Sequence, residues 1–365
     1  MSGTGGLWMG SRYLDASGLT RYGQQAVGPG RPPANVALRL PGHSFYLGPV
    51  MPHFGHCLTE TFSRWWALTP EKLAAYDWFV TPTPEHEIPP FAWQLLEMAG
   101  VRDRVYCCAG PTALEKVSLA GPANRLQDRV HWAVQHVPAL FERAPRPAPD
   151  PRPLFISRRH TGLDGRARAV LGEEWIESAL RANGCVVIEP ETLSVQEQID
   201  AFRRHRRIIG FAGSALHTLI LAGGGQRMLA YTDRNVPPHF HMLEQALGVR
   251  SRYVACGVPR PSEVLDLQVS FRPQWIDPVP VLRACQRAGF IQDWDEKHHL
   301  EQLDNGLLTR RFNALLLLRW TQEQTSGTTP PDRARVLEWA SSPMVDRRTL
   351  DEGLARSPEL RGWLS

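Results

Sequence analysis

Two rhythms of apolar positions alternate along the second half of the chain. Short runs at 153–157 (PLFIS), 185–190 (CVVIEP), 207–213 (RIIGFAG), 228–232 (MLAYT) and 252–256 (RYVAC) read as buried strands. Between them, helices are predicted over 173–183, over the stretch where Val195, Ile199 and Phe202 fall at i, i+4 and i+7, and over 214–221 and 240–247. Gly184, Gly223 and Gly248 stand where three of these helices should stop. Strands alternating with helices of this length predict right-handed βαβ units on a parallel, Rossmann-like sheet. No GxGxxG follows the first of these strands, which excludes the dinucleotide fingerprint of dehydrogenases.

The first 143 residues show a weaker version of the same pattern. Runs at 44–50, 77–82, 104–110 and 115–121 predict strands, and 57–68 and 91–99 predict helices, so a second α/β unit is expected. Five prolines in the ten residues 144–153 predict an extended spacer between the two units. From residue 278 the pattern turns helical, over 281–288 and 307–320 and in a segment opened by Pro331 and Asp332, with a loop at 325–331. The expected architecture is therefore α/β: units at 1–143 and 154–277 facing a cleft, a linker at 144–153, and a helical extension at 278–365.

Composition narrows the partners. With 42% hydrophobic and 21% charged residues in 365, the chain is long enough for two cored domains and is not disordered. All but three of the 41 basic residues are arginine, but 37 acidic residues are interspersed among them, so a nucleic-acid partner is not expected. The basic run at 203–207 ends an amphipathic helix and is predicted to face solvent. Six cysteines without a CxxC pair indicate neither a zinc ribbon nor a disulfide framework; a reducing, cytoplasmic setting is expected. No apolar run approaches the roughly 20 residues of a membrane span, so no transmembrane segment is expected, and the N-terminus lacks the pattern of a secretory signal.

Ligands of parallel sheets bind beyond the carboxyl ends of the strands, which directs attention to Ser157, Arg158 and Arg159 after one strand and to Gly213 and Ser214 after another. Guanidinium forks suit phosphate oxygens, and a Gly-Ser step at a helix start aims backbone N–H groups at an anion. Together they predict a pyrophosphate site that needs no metal or other cofactor. Solvated arginines and an ordinary helix cap are the plain alternative. In the first unit, His56, Glu60 and Arg64 are spaced four apart and share one face of the predicted helix, an arrangement suited to acid/base work on a hydroxyl, or to a surface ladder of ion pairs. Trp65 and Trp66 stand beside that face, where either could stack on a sugar ring. His53, His56 and Glu60 as metal ligands form a weaker reading, because no known zinc spacing supports it. The DxD-like Asp293-Trp294-Asp295 and the pair His298 and His299 lie in the helical tail, away from any strand end.

The ordered motifs from PLFISRR through RRIIGFAGSALHT resemble the core of glycosyltransferase family 61. Its strand ending in Ser-Arg-Arg/Lys, its Arg with a later Asn-Glu step, its Glu-Gln pair and its Gly-rich loop correspond to Ser157–Arg159, Arg168 with Glu173 and Glu174, Glu197 with Gln198, and residues 210–218. His56, Glu60 and Arg64 are similar to the family's first-domain helix. The chain differs in having Ala212 for the loop histidine, Gly172 for the asparagine and Ser63 for a proline.

The resemblance, closest to capsular-polysaccharide-type bacterial members, implies a GT-B architecture. It also implies inverting, metal-independent transfer from a nucleotide-diphosphate sugar to a glycan or polysaccharide hydroxyl. Glu60 or His56 would be the base. Ser157, Arg158, Arg159, Gly213 and Ser214 would hold the diphosphate, with Arg64, Arg168, Glu197 and Gln198 in support. A binding protein of the same fold without activity, and a hydrolase using Ser214, are the other readings; the missing G-x-S-x-G elbow weighs against the second.

Overall fold

Period-two alternation builds both sheets, and it is visible in a computed structural model that describes residues 6–365 except 22–23, 26–31, 34, 37, 126–127, 143–145, 160, 162–168, 234, 259–272, 298–304, 326–332, 358–359 and 362–365. The first sheet contains β1 (Leu38–Tyr46), β2 (Trp78–Thr81), β3 (Val105–Cys107) and β4 (Thr112–Ser118), parallel throughout in the order β3-β2-β1-β4. Pro41 and Gly42 interrupt β1, where the register shifts between Leu40 and His43; Gly42 sits at φ +83 and the Asp77 carboxylate accepts the His43 N–H at 2.7 Å. The second sheet contains β5 (Leu154–Ile156), β6 (Val186–Ile188), β7 (Arg207–Phe211), β8 (Arg227–Thr232) and β9 (Arg250–Ala255), also all parallel, in the order β6-β5-β7-β8-β9.

That order places a topological switch point between β5 and β7: the chain leaves β5 to one side for β6 and returns on the other side for β7. A crevice opens at the carboxyl ends of strands at such a point. Both faces of the second sheet are covered, as a parallel sheet requires. Leu154, Ile156, Ile208, Met228 and Ala230 face one apolar cluster, while Phe155, Ile209, Leu229 and Tyr231 face another.

Helix α1 follows β1 and is irregular: one α turn at Phe54–His56, a π-helical turn at Cys57–Thr61 and a 3₁₀ segment at Phe62–Ala67. A regular helix over 57–68 was the expectation. The hydroxyls explain the departure, since Thr59 Oγ1 donates to the Gly55 carbonyl at 2.8 Å and Ser63 Oγ to the Glu60 carbonyl at 2.8 Å, competing with the helical ladder. Further helices are α2 (Pro90–Met98), α3 (Glu173–Ala182) and α4 (Val195–Arg204). Next comes α5, a 3₁₀ turn at Ser214–Thr218 running into Leu219–Ala222, then α6 (Pro238–Ala246) and α7 (Pro278–Arg287). The tail adds α8 (Asn305–Thr325), α9 (Arg333–Ala340) and α10 (Arg347–Arg356), the last of which the sequence pattern does not predict. Most of the expected loop at 325–331 lies outside the described residues.

The two sheets share one core: Phe45, Leu58 and Leu95 belong to the same buried cluster as Ile156, Phe202 and Leu216. The described part of the proline-rich segment is extended and bound to the second sheet, with Asp150 bridging His205 and Arg207 donating to the Pro151 carbonyl at 2.7 Å. The basic run at 203–207 does not simply face solvent. The Arg203 guanidinium donates to the Phe141 and Leu221 carbonyls at 2.9 and 3.1 Å, and Arg207 also donates to the Gly289 carbonyl at 2.7 Å. These arginines tie peptide carbonyls together across segments that no single element connects.

Candidate active site

The first side of the site is carried by α1, which begins where β1 hands the chain over its carboxyl end. The Glu60 side chain is only 2% exposed, and His56, 38% exposed, lies with Nδ1 at 2.9 Å from Glu60 Oε2. The ring nitrogen is sealed from solvent and not aligned for a regular hydrogen bond, so the contact is one of charge and proximity. A buried carboxylate behind a half-exposed imidazole fixes which ring edge faces outward.

Arg64 does not join this row. The π turn advances the chain by more than a normal turn and rotates Arg64 into the interior, where it is fully buried. Its Nη1 donates to the Ala120 carbonyl at 2.7 Å and its Nη2 to the Gly18 carbonyl at 2.7 Å, with the guanidinium 5.8 Å from the Tyr46 ring centroid. Arg64 is therefore a cross-link, and the face expected for all three residues holds two. Trp65 is likewise buried, stacked on Phe141 at 6.0 Å, and Trp66 Nε1 donates to the Gly121 carbonyl at 2.8 Å, so both are committed to packing.

The second side is the switch point. Ser157, directly after β5, is fully buried and donates to Glu177 Oε2 at 2.7 Å, so the hydroxyl braces α3. Arg158 is half-buried, its N–H given to Glu173 Oε2 at 2.6 Å and its guanidinium 5.4 Å from the Phe211 ring centroid. Arg159 is exposed, 4.0 Å from Glu177 Oε1. Glu173 has no exposed surface and also accepts the Tyr231 hydroxyl; burial pushes its carboxyl up to about 7, against the pull of the Tyr231 and Arg158 hydrogen bonds. A Cβ at Gly213 would stand 2.9 Å from Arg158 Nη1, so the glycine leaves the room in which the guanidinium lies against the start of α5.

The two sides touch. A Cβ on Gly55 would meet Ser214 Cβ at 2.8 Å and His217 Cδ2 at 3.2 Å, so α1 rests directly on the turn after β7. His56 and Glu60 from the first sheet thus border the same contact as Gly213 and Ser214 from the second. His217 and His239 complete the surroundings, their rings 5.8 Å apart and packed on Phe240 at 4.7 and 4.6 Å; His53 lies 5.2 Å from His56. Burial is the main cause that lowers all three of these neighbours of His56, His217 to about 3 and His239 to about 4, so both imidazoles are neutral near pH 7.

The remaining predicted residues act elsewhere. Glu197 closes a capping box with Ser194, and the Gln198 amide donates to the Pro190 carbonyl at 2.8 Å, so both hold α4. Arg168, His298 and His299 lie outside the described residues. Sequence reasoning met Glu173 only as part of a family motif and missed its partner Tyr231, and it missed His217 and His239. The two histidines follow β7 and β8 at their carboxyl ends, so the rule that found Arg158 also covers them. Among the described residues, no three His, Cys, Asp or Glu side chains are placed to share a metal ion, and no helix is long and apolar enough to cross a membrane.

Residues 54–229 match the family model described as Glycosyltransferase 61. The span opens at α1 and closes inside β8; it contains His56, Glu60, Arg158, Gly213, Ser214 and His217 and leaves out His239. No curated protein matches the chain. Over those residues the chain is similar to glycosyltransferase 61, on a mixed α/β architecture with parallel sheets.

Proposed function

From the premise that residues 54–229 are a glycosyltransferase 61 segment, we propose that the protein transfers a sugar from a nucleotide-diphosphate donor to a glycan or polysaccharide hydroxyl with inversion. The observation that supports this reading is the Gly55–Ser214 contact, which brings a His–carboxylate pair against the turn at the switch point. His56 holds Nδ1 toward Glu60, and its Nε2 lone pair takes the acceptor proton as the acceptor oxygen bonds to the anomeric carbon. The C–O bond to the diphosphate breaks in the same displacement, and the nucleoside diphosphate leaves with the bonding electrons. Glu60, behind the ring, stabilises the imidazolium that forms.

Arg158 and the N–H groups at the start of α5 meet the growing charge on the departing diphosphate, which is work a metal does in other transferases. Arg159, exposed beside them, is available to the outer phosphate. Ser157 acts one step back by holding α3. The setting proposed is a cytoplasmic one, with the polysaccharide acceptor approaching from the α1 side.

Release of nucleoside diphosphate from a panel of UDP- and GDP-sugars tests the proposal. Arg158→Ala should lower turnover by about 100-fold or more while leaving the unfolding midpoint near that of the wild type. Wild-type turnover in that variant would remove Arg158 from the site.

A further inference from the structure

One side chain beside the dyad is buried, unbonded and outside the matched segment. His239 is the second residue of α6, 8% exposed, and its Nδ1 is sealed from solvent without a hydrogen-bond partner among the described residues. Buried polar atoms without partners are rare, and those that persist call for a reason. The ring is held on one face by Phe240 at 4.6 Å and lies 5.8 Å from the His217 ring, so its direction is fixed by packing. The His217 ring beside it lies in turn against Gly55, the neighbour of His56, where a Cβ would stand 3.2 Å from His217 Cδ2, so His239 sits on the same side of the switch point as the dyad.

The tautomer follows from the sealed nitrogen. A neutral imidazole carries one N–H, and an N–H pointed into a dry, acceptor-free space is worse than a lone pair pointed there. The proton therefore sits on Nε2, which is neither sealed nor bonded to any described residue. A fixed donor in the neighbourhood of a His–Glu pair matches a sugar hydroxyl. Resting on the glycosyltransferase reading above, we propose that His239 is a substrate-binding residue whose Nε2–H donates to a hydroxyl of a sugar held in front of His56 and Glu60.

The hydroxyl could come from the donor sugar or from the acceptor, and one experiment separates them. Wild type, His239→Phe and His239→Gln are compared for binding of free UDP and GDP, for binding and hydrolysis of UDP- and GDP-sugars, and for transfer to methyl glycosides. Phe keeps the ring packed on Phe240 without a donor, whereas the Gln amide can reach the Nε2 position. A donor contact predicts that His239→Phe weakens nucleotide-sugar binding about tenfold while free nucleoside diphosphate binds as before, and that His239→Gln recovers most of the loss. An acceptor contact predicts unchanged donor binding and a methyl-glycoside KM raised about tenfold, again recovered by Gln.

Equal constants in all three proteins would overturn the assignment of His239 alone. A wild type that binds no nucleoside diphosphate and no nucleotide sugar would overturn the glycosyltransferase reading and this one with it. Should His239→Phe fail to fold, His239→Leu against His239→Gln gives the same comparison. The nitrogen chemical shifts of the His239 ring report the tautomer independently of any ligand, and a proton found on Nδ1 would overturn the proposal.

Discussion

Gly55→Ala would test whether the contact between α1 and α5 is what makes the site. The new Cβ would stand 2.8 Å from Ser214 Cβ, 3.3 Å from Ser214 Cα and 3.2 Å from His217 Cδ2. Carbon atoms pack comfortably at about 3.5 to 4.0 Å, so α1 and the turn must separate by about 1 Å. Neither Ser214 atom can swing aside, because one is main chain and the other is fixed to it. Overpacking of this kind costs about 1–3 kcal/mol, partly offset by the roughly 1 kcal/mol that alanine gains over glycine in a helical turn. Stability should therefore fall by no more than about 2 kcal/mol. Turnover should fall much further, since displacing catalytic groups by about 1 Å can cost on the order of 100-fold. Denaturant unfolding and nucleotide-sugar turnover on the same preparation would show the split. Full turnover in a folded Gly55→Ala protein would mean that His56 and Glu60 do not work against the switch point.

Further outcomes follow from burial. Arg64→Ala should lose about 3–5 kcal/mol of stability, because the carbonyls of Ala120 and Gly18 lose their donor and a cavity remains, while any folded fraction keeps its turnover; a large drop in turnover per folded molecule would return Arg64 to the reacting face. Ser157→Ala should cost about 1–3 kcal/mol of stability by leaving buried Glu177 Oε2 without the Ser157 donor, with donor affinity unchanged by calorimetry. His217 is lowered from 6.5 to about 3, so its contribution is fully present above pH 6.5 and is lost as pH falls; at pH 5 the wild type should have lost about 2 kcal/mol that His217→Phe does not lose. Glu173 runs the opposite way. Its carboxyl is raised from 4.5 to about 7, so its contribution is greatest below pH 4.5 and falls, by up to about 3 kcal/mol, as pH rises through 7. Glu173→Gln should flatten that slope between pH 5 and 8 in urea titrations, and an unchanged slope would locate the titration elsewhere.

The strands were legible because each alternates between two covered faces, as Leu154, Phe155 and Ile156 do, and the pattern survives whatever the tertiary contacts add. Helix α1 was legible in place but not in shape. Its π turn depends on where Thr59 and Ser63 send their hydroxyls, which periodicity does not encode, and that turn removed Arg64 from the predicted face. Arg158, Gly213 and Ser214 were found by a rule about strand ends that holds for parallel sheets in general. The switch point between β5 and β7 that gives them meaning needed the strand order. Glu173 and Tyr231 are 58 residues apart and carry no shared signal along the chain. His217 and His239 lie in stretches that read as ordinary helix starts, and their neutral state follows only from burial.

The C-terminal helices also reach the segment that leads into α3. Ala169 and Leu171, just ahead of α3, are buried in the same cluster as Leu315 to Leu318 of α8 and Leu350 of α10, and Arg311 of α8 pairs with Glu174 at the start of α3. During synthesis, then, β5 to β9 can pair as they emerge, but the segment that leads into Glu173 stays uncovered until more than a hundred further residues have left the ribosome. The nascent chain would carry a nearly complete second sheet beside one apolar segment open to solvent for that interval, which is the situation in which large proteins aggregate or recruit chaperones.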